Sequence, residues 1–179
     1  GGLIGQLADL ETSYAFKTLF SKLYDSKLID FRQKDILFDT SNEYNFTFNT
    51  SINNIDECDF ILLVGCNPRL EATIVNYRIR KAVNQGCKVF SIGNPGEQNY
   101  NYKIIGDNIL ILDDLINEKI PEYHDLSCAK NPAIIIGESA LKSNISKHVI
   151  SSVKTLLKKI NKLNFFNILH QHASNVGSL

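Results

Sequence analysis

The sequence predicts an α/β fold, a parallel sheet with flanking helices, on three observations. The runs 60–64 (FILLV) and 133–136 (AIII) are wholly apolar, the pattern of strands covered on both faces, and each is followed at once by a glycine, Gly65 or Gly137. A third run, 88–92 (KVFSI), ends at Gly93. Around them apolar residues recur at helical spacing, so strands alternate with helices as a parallel sheet requires.

Taken in chain order, the first helix is predicted over 3–23, where Leu3, Leu7, Leu10, Tyr14, Leu19 and Leu23 fall mostly three to five apart, with Gly1, Gly2 and Gly5 loosening its start. Residues 24–57 show no sustained period beyond a short strand predicted at 35–38. A loop this long in a compact domain is often tied to function or to a partner surface. After strand 60–64, Asn67 can cap a helix by accepting from a free backbone N–H. Pro68 suits the first helical position, because its missing donor would be unpaired there. Ala72, Val75, Ile79, Ala82 and Val83 form that helix's buried stripe, Arg78, Arg80 and Lys81 lie off it, and Gly86 fits the stop. Strand 88–92 leads into the dense turn signal Gly93, Asn94, Pro95 and Gly96. A third strand is predicted at 108–112, followed by a helical turn at 113–117, and a fourth at 133–136. Ile145, Val149, Val153, Leu156, Leu157 and Ile160 mark a helix capped by Ser143 or Asn144. A last helix is predicted over 165–176, with Phe166, Leu169, Ala173 and Val176 on one side. The whole reads as one domain or a large piece of one, 1–179: a long loop at 24–57, a strand and helix core at 58–137, and C-terminal helices at 143–176.

Composition narrows the function classes. Nineteen basic and nineteen acidic residues give no net charge, so there is no electrostatic footprint for nucleic acid, and Lys154, Lys158, Lys159 and Lys162 read as the wet face of a helix. No apolar run approaches a membrane span and no signal sequence opens the chain, which predicts a soluble protein without direct membrane insertion. Cys58, Cys66, Cys87 and Cys128 show no C-x-x-C spacing, so neither a zinc site nor an iron–sulfur ligand run is predicted, and all four read as free thiols of a reducing compartment. The Gly-Gly opening and the absence of Met suggest an excerpt of a longer chain. Heavy use of Asn, Ile and Lys suggests an AT-rich genome, such as an organelle's or a low-GC bacterium's.

The candidate site is the loop Gly65, Asn67, Pro68, Arg69. The first turn of a helix presents unpaired N–H groups and a positive dipole end, and Arg69 adds a charge, so an anion could sit there. Neither G-x-G-x-x-G nor G-x-x-x-x-G-K-[ST] is present, so these residues favour an Asn-Pro entry that simply turns the chain over an anion site. His170 and His172, two apart on a predicted helix, point to different faces and cannot chelate together. His124 and His148 are isolated. Asp56, Glu57 and Asp59 read as solvated carboxylates ahead of a strand. Ser139 lies in G-E-S-A, which lacks the second glycine of a nucleophile elbow. No catalytic residue and no metal site are predicted.

The run D-E-C-D-F-I-L-L-V-G-C-N-P-R-L-E-A, continuing through V-N-Y-R-I-R-K to K-V-F-S-I-G, resembles the molybdopterin-oxidoreductase superfamily and, within it, the large iron–sulfur subunits of respiratory complex I. The likeness extends to A-F-K-T-L, F-N-T-S-I-N-N-I-D-E, Y-N-Y-K-I-I-G-D, P-A-I-I-I-G and F-N-I-L-H-Q-H-A-S, nearly the whole chain. It implies a degenerate, Rossmann-like form of the molybdopterin-oxidoreductase fold. In active members, the resemblance implies, the G-x-N-P loop helps hold a pterin guanine dinucleotide, and the next strand ends in an acidic or D-P-R-type element. Here no acid stands at Ser91, Ile92, Gly93 or Asn94, and 41–55 has neither the glycine-rich loop nor the metal-ligating residue of active relatives. The resemblance therefore implies no cofactor in this chain and a vestigial loop at Gly65, Asn67, Pro68 and Arg69. It further implies iron–sulfur clusters held by an N-terminal region absent from these residues, and other subunits of the complex I peripheral arm as partners. The expected location is the matrix side of the mitochondrial inner membrane or the cytoplasmic face of a bacterial one. The expected role is architectural, within an NADH:ubiquinone oxidoreductase. The alternatives are a fragment of an active, formate dehydrogenase-like molybdopterin enzyme and a free-standing nucleotide-binding module.

Overall fold

The computed structural model describes residues 1–5, 7–30, 38–141, 145–172 and 175–178. In chain order its elements are β1 (Gly2–Leu3), α1 (Leu10–Leu23), β2 (Ile29–Asp30), β3 (Phe60–Val64), α2 (Pro68–Glu71), α3 (Thr73–Asn84), β4 (Lys88–Ile92), β5 (Lys103–Gly106), α4 (Ile111–Ile116), α5 (Glu122–Cys128), β6 (Pro132–Gly137), α6 (Ser146–Lys159), β7 (Phe166–Leu169) and α7 (Asn175–Ser178). Short 3-10 turns include Asn53–Glu57 and Glu138–Leu141. The main sheet runs in the order β5, β4, β3, β6, β7 with every pair parallel, and β1 and β2 form a separate parallel ribbon. The predicted parallel sheet with flanking helices is the observed fold.

Every residue of β3 and of β6 is buried. Alternation along the strands divides the core in two. Phe60, Leu62, Val64, Ile134 and Ile136 pack with Leu112 and Leu115 of α4, Leu126 of α5 and the Val149, Val153, Leu156 and Leu157 stripe of α6. Ile61, Leu63, Ala133 and Ile135 pack with Val75, Ile79 and Ala82 of α3 and with Ile55 of the 53–57 turn. Asp59 fixes the starts of the two central strands, its carboxylate accepting from the backbone N–H groups of Lys130 at 2.7 Å and Asn131 at 3.0 Å. Asp56 is likewise not merely solvated. Its Oδ2 accepts from Arg78 at 2.7 Å and Lys81 at 2.6 Å, clamping the turn onto α3. The Lys81 hydrogen bond, joined by Arg78, holds the Asp56 carboxyl below its ordinary value of 3.8.

Several predicted boundaries move. The first helix begins at Leu10, capped by Asp9, which accepts from Thr12 N–H at 2.7 Å, while Gly2–Leu3 pairs as a strand instead. Its expected buried stripe faces outward: Leu7, Tyr14 and Leu23 are 88%, 70% and 75% exposed, and the contacts to the ribbon come from Phe16 and Phe20 beside Gly2. Of the strand expected at 35–38, residues 35–37 lie outside the described residues and Phe38 is irregular. The caps expected at Ser143 and Asn144 also lie outside them.

The third strand is Lys103–Gly106 rather than 108–112. Asn108 Oδ1 accepts from Leu110 N–H at 3.0 Å, turning the chain, and Leu112 and Leu115 then bury at helical spacing on α4. The helix expected over 165–176 is in its first part strand β7, all four residues buried, after a 3-10 turn at Leu163–Phe165, and of its described residues beyond β7 the α-helical ones belong to Asn175–Ser178. Phe166 and Leu169 are three apart, which mimics a helix, but they face the two opposite core clusters. Short apolar runs are ambiguous in this way. The edge at β7 is closed by the long loop. Buried Asn167 accepts from Thr50 N–H at 2.7 Å, Asn49 Nδ2 donates to Phe166 O at 2.6 Å, and Ile168 N–H donates to Thr47 O at 3.2 Å.

Val64→Asp places a carboxylate in a fully buried strand between Ile92 and Ile136. Without a partner it costs several kcal/mol, so the variant should lose cooperative thermal melting and soluble expression. Asp56→Asn should lower the melting temperature at neutral pH. Because the folded carboxyl is held below 3.8, its contribution is complete above that value and fades as pH falls through the lowered one. Melting curves of the two proteins should therefore converge in acid.

Candidate functional site

The chain leaves β3 for β4 on one side of the sheet and returns to β6 on the other, so the sheet order reverses at β3. In open α/β sheets ligands bind outside the carboxyl ends of the strands at such a reversal. The loop Gly65, Asn67, Pro68, Arg69 lies there, after β3. Gly65 has φ +54°, a left-handed backbone that favours glycine. Asn67 caps α2, its Oδ1 accepting from Leu70 N–H at 3.2 Å, and Pro68 is the first helical residue.

Two donors that an anion could use, Asn67 N–H and Leu70 N–H, are engaged within the chain. Asn67 N–H donates to Glu71 Oε1 at 3.2 Å, a reciprocal cap that places a carboxylate at the end of α2 where a phosphate would carry the same charge. Gln98, 8% exposed, donates from Nε2 to Asn67 Oδ1 at 3.0 Å and to Pro95 O at 2.6 Å. The Arg69 guanidinium reaches Glu97, donating to its carbonyl at 3.3 Å and meeting its carboxylate at 3.2 Å. Residues 93–98 are thereby folded over the loop. The helix expected across Ala72 is interrupted there, dividing α2 from α3.

From the other side the Glu138–Leu141 turn closes on the same loop. A Cβ on Gly65 would stand 2.7 Å from Ala140 Cβ and 2.9 Å from Ala140 N. One on Gly137 would collide with Gly65 O and Cys66. Ser139 Oγ donates to Gly65 O, so this hydroxyl ties the turn to the loop. Glu138 is 2% exposed, and its Oε1 accepts from Gln171 N–H at 2.9 Å. Among the described residues, the Glu138–Leu141 turn and the 93–98 turn both contact the loop between β3 and β6. Two surface hollows of about 470 and 460 Å³ lie elsewhere, against Lys158 and Phe165 and against Tyr123 and His124. Sequence reasoning found the loop but missed its occupants. Glu71 was the available signal, four residues after the capping Asn67.

Cys58, Cys66, Cys87 and Cys128 are free thiols, the first three buried. Burial pushes the Cys58 and Cys87 thiols up to about 12 and Cys66 higher still, so these three buried thiols are not ready thiolates. Among the described residues no group of three or more His, Cys, Asp or Glu side chains is arranged to hold a metal. His170 Nε2 lies 2.6 Å from Phe46 O and serves packing, while His148 meets Asp113 at 3.3 Å between α6 and α4. Neither His170 nor His172 is on the helix expected there.

Residues 1–179 match the sequence profile of the family described as molybdopterin oxidoreductase. The chain belongs to that family. It is 36% identical over 195 aligned positions to the NADH-ubiquinone oxidoreductase 75 kDa subunit of Reclinomonas americana, covering 99% of this chain and 28% of that protein. It is 34% identical to an NADH-quinone oxidoreductase subunit of Rickettsia bellii, covering 97% and 26%. The chain thus spans about a quarter of the length of the curated relatives it matches. A solved chain of the formyltransferase/hydrolase complex from Methylorubrum extorquens superposes with a TM-score of 0.59 at 13% identity, over 94% of this chain and 52% of that one, a likeness of fold alone.

Because Gly137 touches both Gly65 and Cys66, Gly137→Ala should push β6 from β3. Overpacking of this kind costs about 1–3 kcal/mol, which a chemical denaturation midpoint will report. Gly86→Ala, where a Cβ meets nothing within 4 Å, has only backbone strain to add and should lose less.

Proposed function

We infer that this chain is a non-catalytic, architectural part of the large iron–sulfur subunit of a respiratory NADH:quinone oxidoreductase, complex I. Its similarity to the Reclinomonas and Rickettsia proteins supports the assignment to that subunit. The observation that supports the non-catalytic reading is how the loop is covered: Glu71 accepts from Asn67 N–H, Gln98 donates to Asn67 Oδ1, Ser139 donates to Gly65 O, and Ala140 packs against Gly65. A pterin guanine dinucleotide does not fit these residues. Iron–sulfur clusters need converging cysteine thiolates, and three of the four cysteines here are buried and protonated. The clusters of such a subunit belong to a segment outside these 179 residues.

On this reading the chain packs against other subunits of the peripheral arm, on the matrix side of a mitochondrial inner membrane or the cytoplasmic side of a bacterial one. Among the described residues no helix is long and apolar enough to cross a membrane. A formate dehydrogenase-like fragment would need an open crevice, and a nucleotide-binding module would need the N–H donors that Asn67 and Glu71 already use.

Calorimetric titration with guanine dinucleotide or pterin should show no binding, and micromolar affinity would overturn the reading. Arg69→Ala should leave NADH:ubiquinone turnover per flavin nearly unchanged in an assembled complex. Its partner Glu97 is 86% exposed, so the pair is worth no more than about 0–1 kcal/mol and complex abundance should fall little. A large drop in turnover per flavin at normal abundance would restore a working site at this loop.

A further inference from the structure

The outer face of α3 carries large apolar side chains where a surface helix ordinarily carries polar ones. Its buried residues, Val75, Asn76, Ile79 and Ala82, lie on one side, and Ile74 and Tyr77, three apart on the other, are 65% and 64% exposed. Leu70 on the adjoining α2 is 80% exposed. None of the three joins either core cluster, so the fold itself does not require them. One turn further along, Arg80 and Lys81 continue the exposed side of α3. We propose that this face, Ile74, Tyr77 and Arg80 with Leu70 beside it, docks an acidic amphipathic segment of a neighbouring subunit, an inference that rests on the complex I reading above.

Charge selects the partner. The helix contains Arg78, Arg80 and Lys81 and no carboxylate. Asp56, shared by Arg78 and Lys81, offsets only one of their two charges. Arg80 is exposed and makes no ion pair among the described residues. The face is therefore apolar towards the start of α3 and positive towards its end. A segment that sets Leu, Ile or Phe against Ile74 and Tyr77 and a carboxylate against Arg80 matches both halves, whereas a basic segment would meet like charge. Tyrosine and arginine are also the side chains that anchor interfaces, the one as a large ring with few rotamers, the other as a planar fork for a carboxylate. A second copy of this chain matches less well, because its own α3 would bring Arg80 and Lys81 and no acid to meet them.

The test replaces Tyr77 with the photo-crosslinker p-benzoylphenylalanine in the full-length subunit, purifies the assembled complex by its flavin and NADH oxidation, and maps the crosslinked residues by mass spectrometry. The crosslink should fall on another subunit, in a segment that carries apolar residues and a carboxylate. Arg80→Glu should then lower the amount of assembled complex several-fold, and exchanging the mapped carboxylate for Arg should restore it. Crosslinking within the same subunit, to a second copy, to a basic segment or to nothing overturns the proposal. So does undiminished abundance in Arg80→Glu, or a loss that the exchanged pair fails to rescue. A subunit that never co-purifies with flavin and NADH oxidation overturns the complex I reading and the proposal with it, whereas one that co-purifies but crosslinks elsewhere overturns the docking face alone.

Discussion

The pairing of β3 with β6 is the contact on which the other elements depend. The two strands are parallel, so the chain between them must cross over, and that crossover contains α2, α3, β4, β5, α4 and α5. Burying an aliphatic side chain is worth about 1.5–3 kcal/mol, and this pair buries a run of them on both faces. Asp59 sets the register at one end by accepting from the backbone just before β6. At the other end a Cβ on Gly137 would stand 2.4 Å from Gly65 O and from Cys66 Cβ, so β6 can carry no side chain there. Register, strand spacing and the width of the crevice are therefore one variable rather than three.

What could be read from the sequence follows from how strongly each segment is buried. β3, β4 and β6 are flanked by glycine turns and lie in the middle of the sheet, where a continuous apolar run has one comfortable place to go. The edges are less determined. β7 owes its strand state to a partner on each side: Ile134 to Gly137 pair with it on one, and residues 47–50 hydrogen-bond to it on the other. Nothing within 165–176 encodes that, so the local spacing suggests a helix. At α1 the difference is one of environment. The leucines have helical spacing and the helix is real, but that apolar stripe is not its packed face. Asp56 reads as solvated because its partners, Arg78 and Lys81, are a helix away in sequence and arrive only through the fold.

The candidate loop separates two questions that a motif merges. Gly65 supplies a left-handed turn, Asn67 a helix cap and Pro68 a first helical residue, and each is required by the strand-to-helix transition whether or not anything is bound. Persistence of these residues therefore says little about a ligand. The informative positions are the neighbours that either leave space or take it. Glu71 sets a carboxylate where an anion's charge would lie, Gln98 and Glu97 draw the 93–98 turn over the loop, and Ser139 and Ala140 close it from the β6 side. These contacts come from three separate chain segments, yet all shorten the same gap. To reach the Asn67 and Leu70 N–H groups, a phosphate would have to compete with Glu71 Oε1 and Asn67 Oδ1, which accept from them in the folded chain.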